Sequence, residues 1–306
     1  MRSYITEQAN IYKKKYGLPD VVIPQWTSIG NQIKWLKRIF PNTKFVIIEE
    51  DVSYLKTRRK MELQRGIVKK IAKMHYKISK QHELDSLCKA DLVVVNNPKD
   101  YRLVVGDGIE AQKIFIYPPY FYDLSGSVRN KTNHDILYYG AMQRPENNEA
   151  ALWFINKIFD SIIESVPDAR FIVVGNKPTK ELQARASDKI VITGFVDDIC
   201  PYFESSLCCV APLMMGAGVK LKIIEAMSSG IPVLTNDIGI EGIDAMAGRD
   251  YLHCTTADDY IQAVVNLANN EDEAKRIGMN GKEYIRENYD REKSVDSLYK
   301  RFCELL

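Results

Sequence analysis

The most constraining feature of this 306-residue sequence is an alternation of short apolar runs with longer amphipathic segments. The runs are rich in Val and Ile and continuously apolar, as expected for parallel strands that are covered on both faces. Because helix-length segments separate these runs, the sequence predicts an α/β fold with parallel sheets. The predicted strands begin at Asp20, Lys44, Asp91, Lys113, Asp135, Arg170, Lys189, Leu207 and Ile231.

The alternation pauses between Pro118 and Asp135, where prolines, a glycine and polar residues are typical of a linker. The charge balance changes there as well. Residues 1–122 hold 22 basic and 12 acidic side chains, whereas 123–306 hold 20 and 28. We therefore predict two doubly wound domains joined near Ser125. They span 1–122 and 123–287, and a C-terminal helix over 288–306 is expected to pack back on the first domain.

Composition excludes several classes of protein. The amino-terminal segment lacks the apolar core of a signal peptide, and no apolar run approaches the roughly 20 residues of a membrane span. The six cysteines form no Cys-x-x-Cys pair, so we expect buried free thiols and a cytoplasmic protein. The four histidines show no metal-binding spacing, and no nucleic-acid-binding motif occurs.

A glycine-rich turn follows the predicted strand at Leu207, in the stretch "PLMMGAGVKLKIIEAMSSGIPVLT". We predict a helix from about Val219 to Ser229, with Gly230 as its C-cap. Ligands of open α/β sheets bind beyond the carboxyl ends of the strands, and a helix N-terminus there favours an anion. Gly216 and Gly218 would let the backbone approach a phosphate closely.

Charged residues follow this turn at helical spacing. Lys220 and Lys222 can add charge-assisted contacts to an anion, and Lys222 shares a helix face with Glu225. A cation beside a diphosphate and a carboxylate beside ribose hydroxyls would suit a nucleotide. A surface turn with a solvated Lys–Glu pair fits the spacing equally well.

A second loop lies in "YYGAMQRPENNEAALWF", where a strand ends at Tyr139. Gly140 begins a tight turn, and Arg144 precedes a helix that is predicted to open at Pro145. The loop is either a further cationic contact at a strand end or a plain helix-capping turn.

Three separated blocks resemble the donor-binding domain of group 1 (family 4) glycosyltransferases. They are "DILYYGAMQRPENNEAALWFINKIFDSIIESVPDARFIVVGN", "VITGFVDD" and "CCVAPLMMGAGVKLKIIEAMSSGIPVLTNDIGIEGI". The family resemblance implies the GT-B fold, in which two Rossmann-like domains face each other across the active site. It also implies transfer of a sugar from a nucleotide diphosphate sugar with retention of anomeric configuration.

The resemblance implies roles for single residues. Glu225 resembles the glutamate that holds the donor ribose, and Lys222 resembles the phosphate-contacting lysine and joins Glu225 as a candidate catalytic residue. Many members carry another glutamate eight residues before the one at Glu225, where this chain has Ala217. The implied donor-binding set is Gly140, Arg144, Gly216, Ala217, Gly218, Val219, Lys220, Lys222 and Glu225.

The first half resembles the later part of a GT-B acceptor domain, in "PNTKFVIIEEDVSYLKTRRK" and "KADLVVVNNPKDYRLV". Glu50 stands where many members place a histidine-aspartate pair. It is a candidate catalytic residue that orients an acceptor hydroxyl, or else it caps the next helix. The glycine-rich loop that opens the family's acceptor domain does not precede Asp20, so we expect the first strands of that domain to be absent.

The stretch Arg58–Lys80 is basic and amphipathic. Leu63, Ile67, Ile71, Met74 and Ile78 fall near one face of a helix. Such a helix can lie on anionic lipid at the inner face of a membrane. The preferred alternative is a domain helix with its apolar face on the sheet and its lysines in water.

Together these patterns predict a cytoplasmic glycosyltransferase with a glycan or lipid-linked acceptor, and they leave peripheral association with the inner face of the membrane open as the second interpretation of 58–80. Lysines and a helix N-terminus would stabilise the leaving nucleotide diphosphate, so neither a metal nor a cofactor is expected. A non-catalytic remnant that binds nucleotide sugars or a partner is the alternative. A nucleotide-sugar epimerase would need a histidine or carboxylate set that is missing from the sequence.

Overall fold

The structure is a computed structural model that describes residues 2–129, 133–216 and 218–306. Its contacts divide the chain into two compact units, the first formed by Met1–Pro119 with Arg291–Leu306 and the second by Tyr120–Asp290. Ala217, where the chain departs from the family pattern, lies outside the described residues. In the described residues, no helix combines the length and the apolar character needed to cross a membrane.

The first unit is built on a parallel sheet with strand order β1-β2-β3-β4. The strands are β1 (Val21–Val22), β2 (Lys44–Glu49), β3 (Leu92–Val95) and β4 (Ile114–Ile116). They fall within the predicted runs, so the strand prediction for this half is confirmed. The helices are α1 (Arg2–Tyr16), α2 (Thr27–Gly30), α3 (Ile33–Ile39), α4 (Ser53–Glu62), α5 (Gly66–Lys89) and α6 (Pro98–Gly106), and a 3₁₀ turn spans Ala111–Lys113.

The second unit contains a parallel sheet with strand order β10-β9-β8-β5-β6-β7. Its strands are β5 (Asp135–Tyr139), β6 (Arg170–Val174), β7 (Ile190–Gly194), β8 (Cys208–Ala211), β9 (Val233–Thr235) and β10 (Leu252–His253). The first five of these strands were predicted and are confirmed, whereas the two-residue β10 is too short to give a sequence signal.

Helices connect these strands as the α/β prediction requires. Pro145 opens the first of them, as predicted, and a π-helical turn (Ile155–Phe159) joins α7 to α8. The helices are α7 (Pro145–Phe154), α8 (Asp160–Ser165), α9 (Lys180–Gln183), α10 (Cys200–Ser205), α11 (Leu221–Ser229), α12 (Ala257–Asn269) and α13 (Glu271–Asn288). A last helix, α14 (Arg291–Leu305), belongs to the first unit.

Both faces of the first unit's sheet are covered, which explains its continuous apolar strands. Phe45, Val93 and their neighbours pack into one buried cluster. The alternate residues form the opposite cluster, against which α14 packs its apolar side chains. That opposite cluster consists of Val46, Leu92 and Val94, with Leu298, Phe302 and Leu305 from α14.

The predicted linker is not a free connection. The chain enters the second unit at Tyr120, before the expected junction at Ser125. The buried guanidinium of Arg129 donates to the carbonyl oxygens of Gly230 and Ser206, at 3.0 and 2.6 Å. Lys282 donates to the carbonyl oxygen of Ser125 at 2.7 Å. These backbone contacts attach the proline- and glycine-containing segment to the second unit's surface.

The basic stretch 58–80 does not form the single helix that its pattern predicts. It is interrupted between α4 and α5, where Gly66 takes a φ of +57°. The expectation that its apolar face covers the sheet is also wrong, since Ile67 and Ile71 are 75% and 60% exposed. Tyr76 and Leu87, on the other side of α5, pack into the core instead.

The six cysteines are free thiols, and three of them are buried, as expected. The prediction of burial is wrong for Cys88 and Cys303, which are exposed on α5 and α14. Both lie on faces of helices that the sheet does not cover, which the cysteine spacing alone cannot indicate.

Candidate donor-binding site

Two loops that carry predicted donor-binding residues lie at the point where the second unit's sheet reverses its direction of winding. From β5 the chain adds β6 and β7 on one side, and then crosses to add β8 on the other side. The loops that follow β5 and β8 therefore diverge and leave a crevice at the carboxyl ends of these strands. The loop after β5 contains Gly140 and Arg144, and the loop after β8 leads to Lys220, Lys222 and Glu225.

The glycine-rich loop adopts backbone conformations that favour glycine. Gly216 and Gly218 have φ angles of +147° and +70°. A Cβ at Gly216 would lie only 2.8 Å from the Lys220 side chain. The helix begins two residues later than predicted, at Leu221, and its predicted C-cap Gly230 is left-handed, with φ of +80°. Val219 therefore precedes the helix and partly packs against the second unit's core.

Lys222 is a half-buried residue, and its ammonium group has no carboxylate partner among the described residues. Its Nζ donates to Asn147 Oδ1 at 3.0 Å and lies 4.7 Å from the centre of the Tyr138 ring. Burial lowers the pKa of Lys222 to about 8, and the nearby positive charge of Lys220 adds to that effect. Because buried charges are normally paired, this ammonium group is suited to an incoming anion.

Lys220, by contrast, is turned back on its own loop. Its Nζ donates to the carbonyl oxygen of Gly218 at 2.5 Å and lies 3.8 Å from a carboxylate oxygen of Glu241. Both side chains of this ion pair are largely buried. The two predicted lysines therefore differ in their partners. Lys220 binds a carbonyl group of its own loop and the Glu241 carboxylate, whereas the ammonium group of Lys222 contacts neutral groups.

Glu225 is held by two groups that sequence reasoning missed. The backbone N–H of Tyr122 donates to its Oε1 at 3.2 Å. The Tyr139 hydroxyl lies 2.8 Å from its Oε2 and 2.7 Å from the carbonyl oxygen of Lys222. Burial and the adjacent Glu225 raise the pKa of Tyr139, so this hydroxyl keeps its proton and donates it.

Asn147 links the two loops of the crevice. It accepts the hydrogen bond from Lys222 and donates to the carbonyl oxygen of Ala141 at 3.1 Å. A Cβ at Gly140, which has φ of +155°, would lie 3.0 Å from its amide nitrogen. Asn147 follows a proline at the start of α7, so its sequence context indicated only a polar helix terminus. Arg144, the N-cap residue of α7, is exposed beside this arrangement.

Glu50 lies in the first unit, after β2. Its Oε1 accepts a hydrogen bond of 2.5 Å from Gln25. The alternative that Glu50 caps the next helix is wrong, because the amides of Ser53 and Tyr54 at the start of α4 donate to Glu83, at 2.7 and 3.1 Å. Its role towards an acceptor stays a prediction.

The buried Glu83 carboxylate also accepts a hydrogen bond from Glu49. Burial raises the pKa of both groups, that of Glu83 to about 7, and the neighbouring charge of Glu83 raises that of Glu49 further. Among the described residues, no group of three or more His, Cys, Asp or Glu side chains is arranged to hold a metal ion.

Solved structures with this fold include sucrose-phosphate synthase from Thermosynechococcus elongatus, with a TM-score of 0.74 and 17% identity. That likeness covers 98% of this chain and 77% of the synthase. HepE from Anabaena, solved in complex with UDP, has a TM-score of 0.71 and 12% identity over 99% of this chain and 82% of its own. These similarities show that the chain has a GT-B fold with Rossmann-like parallel sheets.

Residues 133–270 match the family described as "Glycosyl transferases group 1". This match covers just under half of the chain and includes the crevice residues from Tyr139 to Glu225. A curated relative, an uncharacterized 44.6 kDa protein in the cps region of Klebsiella pneumoniae, is 25% identical over 177 residues. That alignment covers 55% of this chain and 46% of the relative, so the chain matches about half of the relative's length.

Proposed function

We propose that this protein transfers a sugar from a nucleotide diphosphate sugar to a glycan or lipid-linked acceptor. The observation that carries the proposal is Lys222, a buried ammonium group at the sheet's switch point whose hydrogen-bond acceptor is a neutral amide. A diphosphate would supply the missing negative charge. HepE, which shares the fold, binds UDP in its solved complex, and this supports a nucleoside diphosphate as the first ligand to test.

In the proposed reaction, the bond between the anomeric carbon and the diphosphate breaks, and the diphosphate leaves with the bonding electron pair. The acceptor hydroxyl oxygen forms the new bond to the anomeric carbon, and its proton passes to the leaving diphosphate oxygen. Lys222 and the N–H groups at the start of α11 stabilise the charge that develops on the leaving oxygen. Each oxygen of Glu225 accepts one hydrogen bond within the protein and keeps a lone pair for a ribose hydroxyl. Lys222 and the N–H groups at the start of α11 supply the positive charge in this proposal, so the reaction uses neither a metal nor a cofactor. Retention of configuration belongs to the proposal through the family resemblance.

The proposal is tested with a panel of nucleoside diphosphates and nucleotide sugars, starting from UDP. Thermal unfolding is followed for binding, and release of free sugar for turnover. We expect one nucleotide class to raise the midpoint of unfolding and its sugar conjugate to be hydrolysed slowly. Lys222→Ala should abolish both effects, whereas Lys275→Ala, at an exposed lysine of the same unit, should abolish neither.

Two outcomes would contradict the proposal in different ways. If no compound of the panel changes the midpoint, the crevice is not a nucleotide site. If nucleotide sugars bind and Lys222→Ala prevents binding, but neither hydrolysis nor transfer occurs with any acceptor, the chain is the non-catalytic binding protein of the alternative.

A further inference from the structure

We infer that the exposed side of α5 is a docking surface for an anionic membrane. The surface, here named the basic apolar face, is a stripe of large apolar side chains flanked by lysines. Each apolar member is between 51% and 75% exposed, although these residue types normally form the core. The apolar members are Ile67, Ile71, Met74 and Ile78 of α5, together with Leu63 just before that helix.

The apolar members are continuous along the helix. Steps of three and four residues keep Ile67, Ile71, Met74 and Ile78 on one side of α5. At a rise of about 1.5 Å per residue, they form a stripe about 16 Å long. The residues that attach α5 to the first unit, such as Leu87, lie on the opposite side of the helix.

The surroundings of the stripe are positively charged. Residues 63–82 contain one arginine and five lysines and no acidic residue. Lys70, Lys73 and Lys77 are exposed and flank the stripe on one side. The carboxylate just before it, on Glu62, is paired with Arg58 at 3.1 Å. The surface thus combines apolar side chains that can enter the headgroup region with cations that attract anionic lipid.

Charge also decides against the nearest competing occupant. A second copy of this chain would bring an equally positive surface to the stripe, and like charges that face each other in an interface are unfavourable. An anionic bilayer matches both properties of the surface at once. A helix lying in the membrane plane gains from apolar burial and from electrostatic attraction, and neither requires it to cross the bilayer.

The inference is independent of sugar transfer, and the full chain tests it by co-sedimentation with lipid vesicles. We expect binding to vesicles of phosphatidylcholine mixed with phosphatidylglycerol, weakened by added salt, and little binding to phosphatidylcholine alone. Equal binding to both kinds of vesicle, or to neither, would overturn the inference.

The apolar stripe is tested by Ile67→Gln/Ile71→Gln, and its matched control is Met246→Gln/Met279→Gln, at exposed positions of the second unit. Because all four side chains are exposed, neither double variant should disturb folding, which circular dichroism verifies. We expect the first double variant to bind anionic vesicles at least about tenfold more weakly and the control to bind normally. Unchanged binding of the first variant would mean that the partner is recognised by charge alone, and would overturn the inference.

The charge is tested by Lys70→Gln/Lys77→Gln against Lys157→Gln/Lys275→Gln, which removes the same number of exposed lysines from the second unit. A loss of about tenfold or more is expected for the first double variant only. Equal losses would show that net charge, and not this surface, determines binding. Light scattering completes the test. The wild type could form a dimer and fail to bind vesicles, while Ile67→Gln/Ile71→Gln is monomeric. That result would identify a second copy of the chain as the occupant and would overturn the inference.

Discussion

At the scale of single residues, the crevice is defined by a lysine that the fold buries without a counter-charge. Lys222 Nζ contacts the Asn147 amide and the Tyr138 ring. After burial, smaller influences on the pKa of Lys222 come from Cys209, Lys220, Glu146 and Arg144. Desolvation therefore dominates, and it lowers the pKa of Lys222 to about 8. A bound diphosphate would reverse this shift, because it favours the charged form of the lysine.

This reversal predicts that nucleotide binding takes up a proton. Above about pH 8, free Lys222 is largely neutral, so binding of a nucleoside diphosphate must protonate it and should weaken as the pH rises. Titration calorimetry at about pH 9, in buffers of different ionisation enthalpy, should show an uptake of about one proton. Below about pH 7 the uptake should vanish.

Asn147→Asp provides the matching variant. A carboxylate 3 Å from Nζ would raise the pKa of Lys222, so the proton uptake at high pH should disappear and the affinity for the nucleotide should fall. Asn269→Asp, at an exposed asparagine, should change neither. Unaltered uptake in Asn147→Asp would mean that another group takes up the proton.

The sequence predicted two of the four side chains that interact in this crevice, Lys222 and Glu225, but not their partners. Lys222 and Glu225 lie on one helix, so their spacing alone placed them together. Asn147 and Tyr139 are 75 and 86 residues away from the side chains they contact, Lys222 and Glu225, and no local pattern relates them. Their polar atoms meet these partners only because β5 and β8 are neighbours in the sheet.

At the scale of elements, α4 starts on a buried carboxyl pair. Glu83 accepts hydrogen bonds from two amides at the start of the helix and from the side chain of Glu49, with Asp100 and Asp51 nearby. The pair retains at least one proton in the folded state, because two negative charges in this buried place would be unfavourable. The stability of the start of α4 therefore depends on the protonation of this pair, although Glu49 and Glu83 are far from each other in sequence.

This pair predicts that stability falls as the pH rises towards neutrality. The folded pKa values are raised above the unfolded value of about 4.3, so the stabilisation is complete below that value and is lost as the pH rises through about 7. Glu49→Gln should flatten this decline, since an amide can donate to Glu83 at every pH. Thermal unfolding between about pH 4.5 and 8 measures the effect, and Glu7→Gln, at an exposed glutamate of the same unit, should retain the decline.

Two glycines at the ends of neighbouring strands differ in the space that a side chain would have, and this difference tests how closely the loop after β5 packs. A Cβ at Gly175, after β6, would lie 1.8 Å from the carbonyl oxygen of Gly140, whereas a Cβ at Gly194, the last residue of β7, would meet nothing within 4 Å. Both have positive φ, of +154° and +71°. Gly175→Ala should therefore destabilise the second unit by about 1–3 kcal/mol more than Gly194→Ala in urea unfolding. Equal effects would show that the loop can move aside.

How well the strands and helices could be predicted depended on the pattern of apolar residues in each segment. Strands with continuous apolar runs were found because these runs are short, rich in Val and Ile, and separated by helix-length segments. The basic stretch around α5 was predicted with its apolar side inward, and this is wrong. Helical periodicity identifies that such a side exists, but only the packing of Tyr76 and Leu87 decides which side of α5 meets the core.

At the scale of the whole molecule, the chain consists of two units with separate hydrophobic cores. The residues that line the crevice at the switch point come from the second unit, between Tyr122 and Glu225. A nucleotide bound there should stabilise that unit by about 2.7 kcal/mol at a hundredfold excess over its Kd.

Hydrogen exchange measures this prediction for the two units separately. With UDP present, protection from exchange should increase in peptides that contain β5, α7 and α11. Protection should also increase in peptides from the core of the second unit. The matched control is Lys222→Ala, in which UDP should change no peptide. Protection confined to the first unit would contradict the assignment of the donor site.

Sequence alone was enough to predict the α/β class, nine of the ten described strands, and the placement of Lys222 and Glu225 on one helix after a glycine-rich turn. These features follow from periodicity and local backbone chemistry, which neighbouring residues set. Tertiary packing was needed to establish that Asn147 and Tyr139 hold those two side chains, that Glu83 caps α4, and that the apolar side of α5 is exposed. Each of these depends on which distant segments pack together, because burial and hydrogen bonding between them arise only when the chain has folded.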